Sequence, residues 1–191
     1  MRLRILDHGH RWHTKAIMAL IRVFSGHPVV DAVKLAFYRP DFYGGGPLTH
    51  EAMRGHSDWS IGDRELMAAY VSKANECPFC VSAHRATSSM WYGDETKVAA
   101  TLTDLDAAPI DESLRATLRM LGKLAEQNSI EADDIRAVLD ASVSPQQIRD
   151  ALAVSLAFNI TDRLANAFGF DVATPEAMNA GARFLLKRGY R

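Results

Sequence analysis

The 191-residue chain holds two cysteines, and both stand in the stretch NECPFCVSAHRA (75–86): Cys77 and Cys80, with His84 four residues after the second. The thiolate is the nucleophilic form of cysteine, so this spacing asks what would draw off the proton. Pro78 suits the first turn of a helix, where its fixed φ fits and its missing N–H is no loss. Cys77 then falls near the N-cap and Cys80 at about the third helical position, both beside unpaired backbone N–H groups that favour the anion. His84 lies one turn beyond Cys80 on the same face, placed to take its proton and to hold the thiolate as a counter-ion. Two sulfurs in one helical turn can also close into a disulfide, one attacking an oxidant and the other resolving the product. The helix terminus acts on both sulfurs, a little more on Cys77, whereas the histidine serves Cys80. A specific base outweighs a dipole shared by both, which favours Cys80 as the attacking sulfur.

Glu65 is the second candidate. It precedes Cys77 by twelve residues, in ELMAAYVSKAN (65–75), an apolar segment whose character implies burial. A carboxylate there is costly unless paired. Pairing with His84, directly or through a water, would complete an orienter–base–nucleophile relay. Two other readings of the cysteines stand beside this one. Buried thiols often do no more than pack, and a zinc site would need about four ligands, more than CPFC and His84 supply. The stretch DHGHRWH (7–13) offers Asp7, His8, His10 and His13 in a metal-like pattern, although a loosely ordered polar terminus accounts for it as well. His27, His50 and His56 fall by turns or short helices, where His50 or His56 could approach the site. Trp59, Trp91, Tyr70 and Phe79 read as core or interface residues.

The pattern E-x11-C-x-x-C-x-x-x-H, formed by Glu65, Cys77, Cys80 and His84, resembles the signature of the alkylhydroperoxidase D-like group of the carboxymuconolactone decarboxylase superfamily. LAFNITDRLANAFGF (156–170) resembles that group's second helix. RFLLKRGYR (183–191) is similar to the endings of its peroxidase-related members. The resemblance covers the chain from about residue 30 onward. It implies an all-α, AhpD-like multi-helix fold, homo-oligomers, and thiol-dependent reduction of organic hydroperoxides. In that scheme Cys80 attacks, Cys77 resolves through a Cys77–Cys80 disulfide, His84 is the base and Glu65 orients it. It implies no bound cofactor or metal; an external dithiol donor, lipoyl-type in the best-known branch, restores the thiols. Some members carry a second histidine between the cysteines, where this chain has Phe79, a departure that bears on donor and substrate. A lactone-handling decarboxylase on the same fold and a non-catalytic dithiol redox sensor are the alternatives.

The elements that must position these residues read as helices. Thr14 and Gly26 bracket one, 29–38 forms a second, and 40–47, PDFYGGGP, is a loop. A short helix follows from Thr49 to Arg54. Ser60 with Asp63 resembles a capping box opening the Glu65 helix. Asp111, Ser129, Ser144-Pro145 and Thr174-Pro175 mark later helix starts, and Gly169 and Gly189 mark stops. No alternating β-branched run of convincing length is present, so the chain reads as all-α. At an offset of 84, Ser60 meets Ser144, Ala69 meets Ala153 and Asn75 meets Asn159, whereas Cys77, Cys80 and His84 fall on Thr161, Leu164 and Phe168. A degenerate duplication and chance similarity of two Ala-rich helices both account for this echo.

The bulk composition narrows the class. The chain is 48% hydrophobic and 24% charged with a formal net charge of −1, enough to bury one core as a single domain over 1–191, with 1–13 expected to be loosely ordered. The near-neutral balance argues against nucleic acid or an anionic membrane as partner. No apolar stretch is long enough for a spanning helix, and the start lacks a signal peptide's apolar region. A cytoplasmic protein with reduced thiols is the expectation.

Overall fold

The computed structural model describes residues 1–40 and 46–190. Among them the chain forms eleven helices and no strand, an all-α fold. The proposed loop at 40–47 lies largely outside the described residues.

The fold is organised around α5 (Ile61–Ala74). Gly62, Arg64, Glu65, Leu66, Met67, Ala68, Ala69, Val71 and Ser72 are all buried. A helix covered on nearly every side belongs at the centre of a domain, which is why its one mid-helix carboxylate is out of water. The capping box that opens it is present: Asp63 N–H donates to Ser60 Oγ at 3.0 Å and Ser60 N–H to the Asp63 carboxylate at 3.0 Å. α5 packs against α6 (Pro78–Tyr92), α8 (Glu112–Gln127) and α10 (Pro145–Phe168). The main core joins Leu66, Met67 and Val71 of α5 to Leu118 and Leu121 of α8 and to Val154 and Phe158 of α10.

The break between α5 and α6 shapes the site. Asn75 caps α5, and Glu76 takes a left-handed conformation at φ 52°. Cys77 N–H returns to the Ser72 carbonyl at 2.9 Å, and Pro78 starts α6 with Cys77 as its N-cap. α6 then runs back along α5, so that Ser88 Oγ donates to the Gly62 carbonyl at 3.0 Å near its far end. Gly62 permits this approach, since a Cβ there would lie 2.1 Å from the Trp91 ring.

The sequence echo has a structural counterpart. Ser144 opens α10 with the same capping box, and Asn75 Nδ2 donates to Asn159 Oδ1 at 3.2 Å. α10, however, continues unbroken to Phe168 through the positions that correspond to Cys77 and Cys80.

Several boundaries differ from the sequence reading. α2 (Trp12–Ser25) begins before Thr14, α3 spans Asp31–Tyr38, α4 is Gly46–Arg54, and α9 (Ala132–Asp140) is capped by Glu131 rather than Ser129. α7 (Glu95–Thr103), capped by Asp94, was not foreseen, because its apolar positions are few. α11 (Pro175–Arg188) has the expected Thr174 cap, which accepts from Ala177 N–H at 3.4 Å.

Residues 1–13 are docked rather than loosely ordered. α1 (Ile5–His8) buries Leu6 against Leu35, Phe79, Phe170, Met178 and the two cysteines. Arg2 N–H donates to the Phe168 carbonyl at 2.7 Å. His10 is buried with Nε2 2.9 Å from the Leu6 carbonyl, and Asp7 pairs with Lys34 at 3.0 Å, so these two members of the 7–13 cluster take part in local structure, whereas His8 and His13 are exposed. The leucines provide the apolar anchor that a polar-terminus reading overlooks. α2 behaves differently: Trp12, Ile17, Leu20, Val23 and Phe24 are all exposed, a broad apolar face directed outward. No helix of the described residues is long and apolar enough to cross a membrane.

Candidate active site

Cys77 and Cys80 are free thiols, 1% and 2% exposed, at the N-terminal turn of α6. The Cys80 thiol donates to the Cys77 sulfur. That bond, with a second from the Cys80 backbone N–H, outweighs burial and lowers the Cys77 pKa below its ordinary value. Cys80 is pushed the other way, well up, first by the bond it gives to Cys77, then by burial and by the charge of Asp162. Of the two resting thiols, Cys77 ionises first. The hydrogen bond between the two thiols is the first cause of that order, and the backbone N–H at the helix terminus adds to it.

Glu65 and His84 come together. Glu65 is 0% exposed, and one of its oxygens, Oε2, lies 2.7 Å from His84 Nδ1. Arg54 Nη2 donates to Oε1 at 2.7 Å, and the Tyr190 hydroxyl donates to the same carboxylate at 2.9 and 3.1 Å. Burial alone would raise the Glu65 pKa. The hydrogen bond and charge of His84, followed by those of Arg54, overcome it and hold the group below the ordinary carboxylate range. Tyr190 is pushed well above the usual phenol range by burial and then by the Glu65 charge, so it stays protonated and donates. Phe158 packs its edge on the His84 ring at 4.4 Å between centroids, and Tyr190 stacks on the other side at 6.3 Å. With Nδ1 committed to Glu65, the ring is fixed in orientation, and Nε2 is the nitrogen left for proton transfer.

Two parts of this arrangement were not identified in the sequence. Arg54 closes α4, in a segment that reads as an ordinary exposed helix end. Tyr190 arrives over Gly189, whose φ of +69° no residue with a Cβ adopts freely and whose Cβ would crowd His50 at 3.0 Å. His50 approaches the site in this indirect way, with Nδ1 3.4 Å from the Tyr190 N–H. The ending RGYR was the available signal, but its spacing from Glu65 said nothing of contact.

The third is Asp162, on α10. Its side chain is 0% exposed, accepting from Ser72 Oγ at 2.9 Å and Asn75 Nδ2 at 2.9 Å. The ligand atoms of Cys77, Cys80 and Asp162 lie within 4.8 Å of one another. Among the described residues these three could share a metal ion; His84, counted earlier as a possible zinc ligand, is turned to Glu65 and stands outside the group. The set falls one short of a closed structural zinc site.

No family model and no curated protein matches the sequence. Solved structures do. An uncharacterized peroxidase-related protein from Silicibacter sp. TM1040 superposes with a TM-score of 0.77 at 23% identity, over 93% of this chain and 93% of that one. An alkylhydroperoxidase AhpD core, an uncharacterized peroxidase-related protein from Ralstonia eutropha JMP134, gives 0.76 at 21% identity, over 95% and 96%. The debrominase Bmp8 in its apo form gives 0.68 at 13% identity, over 89% and 92%. The chain has the AhpD-like helical fold.

Proposed function

We propose that this AhpD-like chain is a thiol-dependent peroxidase of the carboxymuconolactone decarboxylase superfamily, reducing organic hydroperoxides through a Cys77–Cys80 disulfide cycle. The observation that carries the reading is the buried Glu65–His84 contact at 2.7 Å, with the histidine one turn beyond Cys80. His84, aimed by Glu65, takes the Cys80 proton. The Cys80 thiolate attacks the hydroperoxide; an S–O bond forms as the O–O bond breaks, and His84 returns its proton to the departing alkoxide. Because the Cys80 thiol already donates to Cys77, its ionisation is easiest while Cys77 keeps its own proton. Cys77 then displaces the sulfenic hydroxyl as water, closing the disulfide, and an external dithiol of lipoyl type reopens it. Leu6, Phe79 and Phe170 cluster with both sulfurs, apolar surroundings that suit an alkyl rather than a charged hydroperoxide.

The chemistry needs no bound metal or cofactor. A homo-oligomer is part of the proposal, supported by the outward apolar face of α2, too large to leave in water without cost. The test is consumption of tert-butyl hydroperoxide by purified protein with dihydrolipoamide as donor. Sustained turnover, lost in Cys80→Ser and Glu65→Gln, is the expected result. A single oxidation without turnover would favour the redox sensor, and activity toward a lactone surviving loss of both cysteines would favour the decarboxylase.

A further inference from the structure

The mechanism above leaves one buried acid unused. Asp162 lies on α10, on a different helix from both Glu65 and His84, with its carboxylate within 4.8 Å of both sulfurs. Glu65 has a guanidinium beside it, whereas the partners that hold Asp162 are neutral: the Ser72 hydroxyl and the Asn75 amide. A carboxylate buried without a cation is costly, and cores do not retain one for packing. Ser72 binds Oδ1 and Asn75 binds Oδ2, which fixes the group in orientation, and the Cys80 thiol is within hydrogen-bonding reach of it.

We propose that Asp162 is a catalytic carboxylate, the proton shuttle of the disulfide-forming step. This rests on the thiol-peroxidase reading only for the identity of the first oxidant. As Cys77 sulfur attacks the Cys80 sulfenic acid, its thiol proton passes to Asp162. The S–S bond forms as the S–O bond breaks, and Asp162 delivers the same proton to the departing hydroxide. One thiol and one sulfenic acid become one disulfide and one water, with the carboxylate unchanged. In the reverse half-cycle Asp162 takes the proton of the attacking dithiol and passes it to the cysteine thiolate that leaves as the S–S bond breaks. The site thus has two proton relays: Glu65 and His84 for O–O cleavage, Asp162 for S–S closure. Burial raises the Asp162 pKa despite the bonds from Asn75, Cys80 and Ser72, which suits a group that must hold a proton briefly. The titratable groups facing it are Cys77 and Cys80 at the start of α6, with His84 further along that helix.

The experiment follows closure in a single turnover, by acid quench and mass spectrometry, with two oxidants. Tert-butyl hydroperoxide gives the sulfenic acid, and oxidised glutathione gives a mixed disulfide without peroxide chemistry. Asp162→Asn is expected to slow closure by about 100-fold or more with both. Its closure rate should also lose the low-pH limb that the wild type shows as Asp162 ionises. Asn75→Ala, which removes a bond to the ionised form, should move that limb to higher pH, and it decides the matter alone if Asp162→Asn does not fold. Closure within about threefold of wild type in Asp162→Asn, or a limb unmoved in Asn75→Ala, overturns the proposal. If the glutathione arm behaves as expected while hydroperoxide yields no sulfenic acid in the wild type, the peroxidase reading fails and the shuttle stands.

Discussion

Replacing Glu65 by glutamine keeps the shape of the site and removes its charge. The carboxylate is 0% exposed and the Arg54 side chain 8%, so neither can turn to water for compensation. Breaking a buried pair by neutralising one partner typically costs about 3–5 kcal/mol. Glutamine retains one acceptor oxygen for Arg54 or Tyr190 but presents an amide where His84 Nδ1 needs an acceptor, so a loss near ~3 kcal/mol is expected. For a chain of this size that lowers Tm by about 6–12 °C. The pH dependence gives the sharper check. The fold holds the Glu65 pKa below its ordinary value of 4.5, so its contribution is complete above that value and lost as pH falls through the depressed one. The gap between wild type and Glu65→Gln, measured by urea unfolding, should be wide at pH 7 and narrow on acidification. Arg54→Met in the Glu65→Gln background should recover part of the loss, since no buried cation is then left unpaired, with a coupling of about 1–3 kcal/mol. A loss under about 1 kcal/mol, or a gap indifferent to pH, would mean that the carboxylate is hydrated in solution and cannot aim the histidine.

Thiol titration of single variants separates the two sulfurs. In the wild type Cys77 should react first with iodoacetamide as pH rises. Cys77→Ala removes the largest cause that raises Cys80, so its remaining thiol should titrate lower than Cys80 does in the wild type. Cys80→Ala should raise Cys77, which loses its side-chain donor. Asp162→Asn should not lower Tm at pH 8: a carboxyl whose folded pKa is raised contributes stability below its unfolded value of 3.8 and loses it as pH climbs through the folded one, so removing the charge spares that loss. Phe24, 85% exposed on α2, should matter only if that face is covered in the assembly. Phe24→Asp is expected to shift the mass seen by light scattering to a smaller species, and an unchanged mass would exclude α2 from the interface.

The helices were legible because their punctuation is local. Ser60, Ser144 and Thr174 are capping hydroxyls followed by an acid, an amide or a proline, and each opens a helix where the sequence places it. The dithiol turn was legible for the same reason, since Cys77, Pro78, Cys80 and His84 lie within one helix and fixed spacing fixes a face. Glu65 was partly legible: the apolar run around it implied burial, although its contact with His84 crosses a helix break that spacing cannot bridge. Arg54, Tyr190 and Asp162 were not, because they come from α4, the C-terminal turn and α10, and only the packing of α5 brings them together. The docking of 1–13 was missed for a related reason, since Leu6 finds its apolar partners far along the chain, at Phe79, Phe170 and Met178.

The comparison of α5–α6 with α10 suggests why the reactive groups sit where they do. Both segments begin with a serine capping box, and their asparagines, Asn75 and Asn159, meet side chain to side chain. In α10 the helix runs on, and every backbone N–H past the first turn is spent on the ladder. At Glu76 the first segment breaks, which frees the N–H groups of a new helix terminus to face the sulfurs. Continuous α10 supplies Asp162 against the terminus that the broken segment exposes. Restoring continuity at 76–78 would therefore lengthen a helix and abolish the N-cap bond that lowers the Cys77 pKa. Pro78→Ala with Glu76→Ala, both favourable to helix, should raise the Cys77 pKa and, because α6 would no longer fold back along α5, part His84 from Glu65. A Cys77 that titrates as before in that variant would show that the terminus contributes nothing to its acidity.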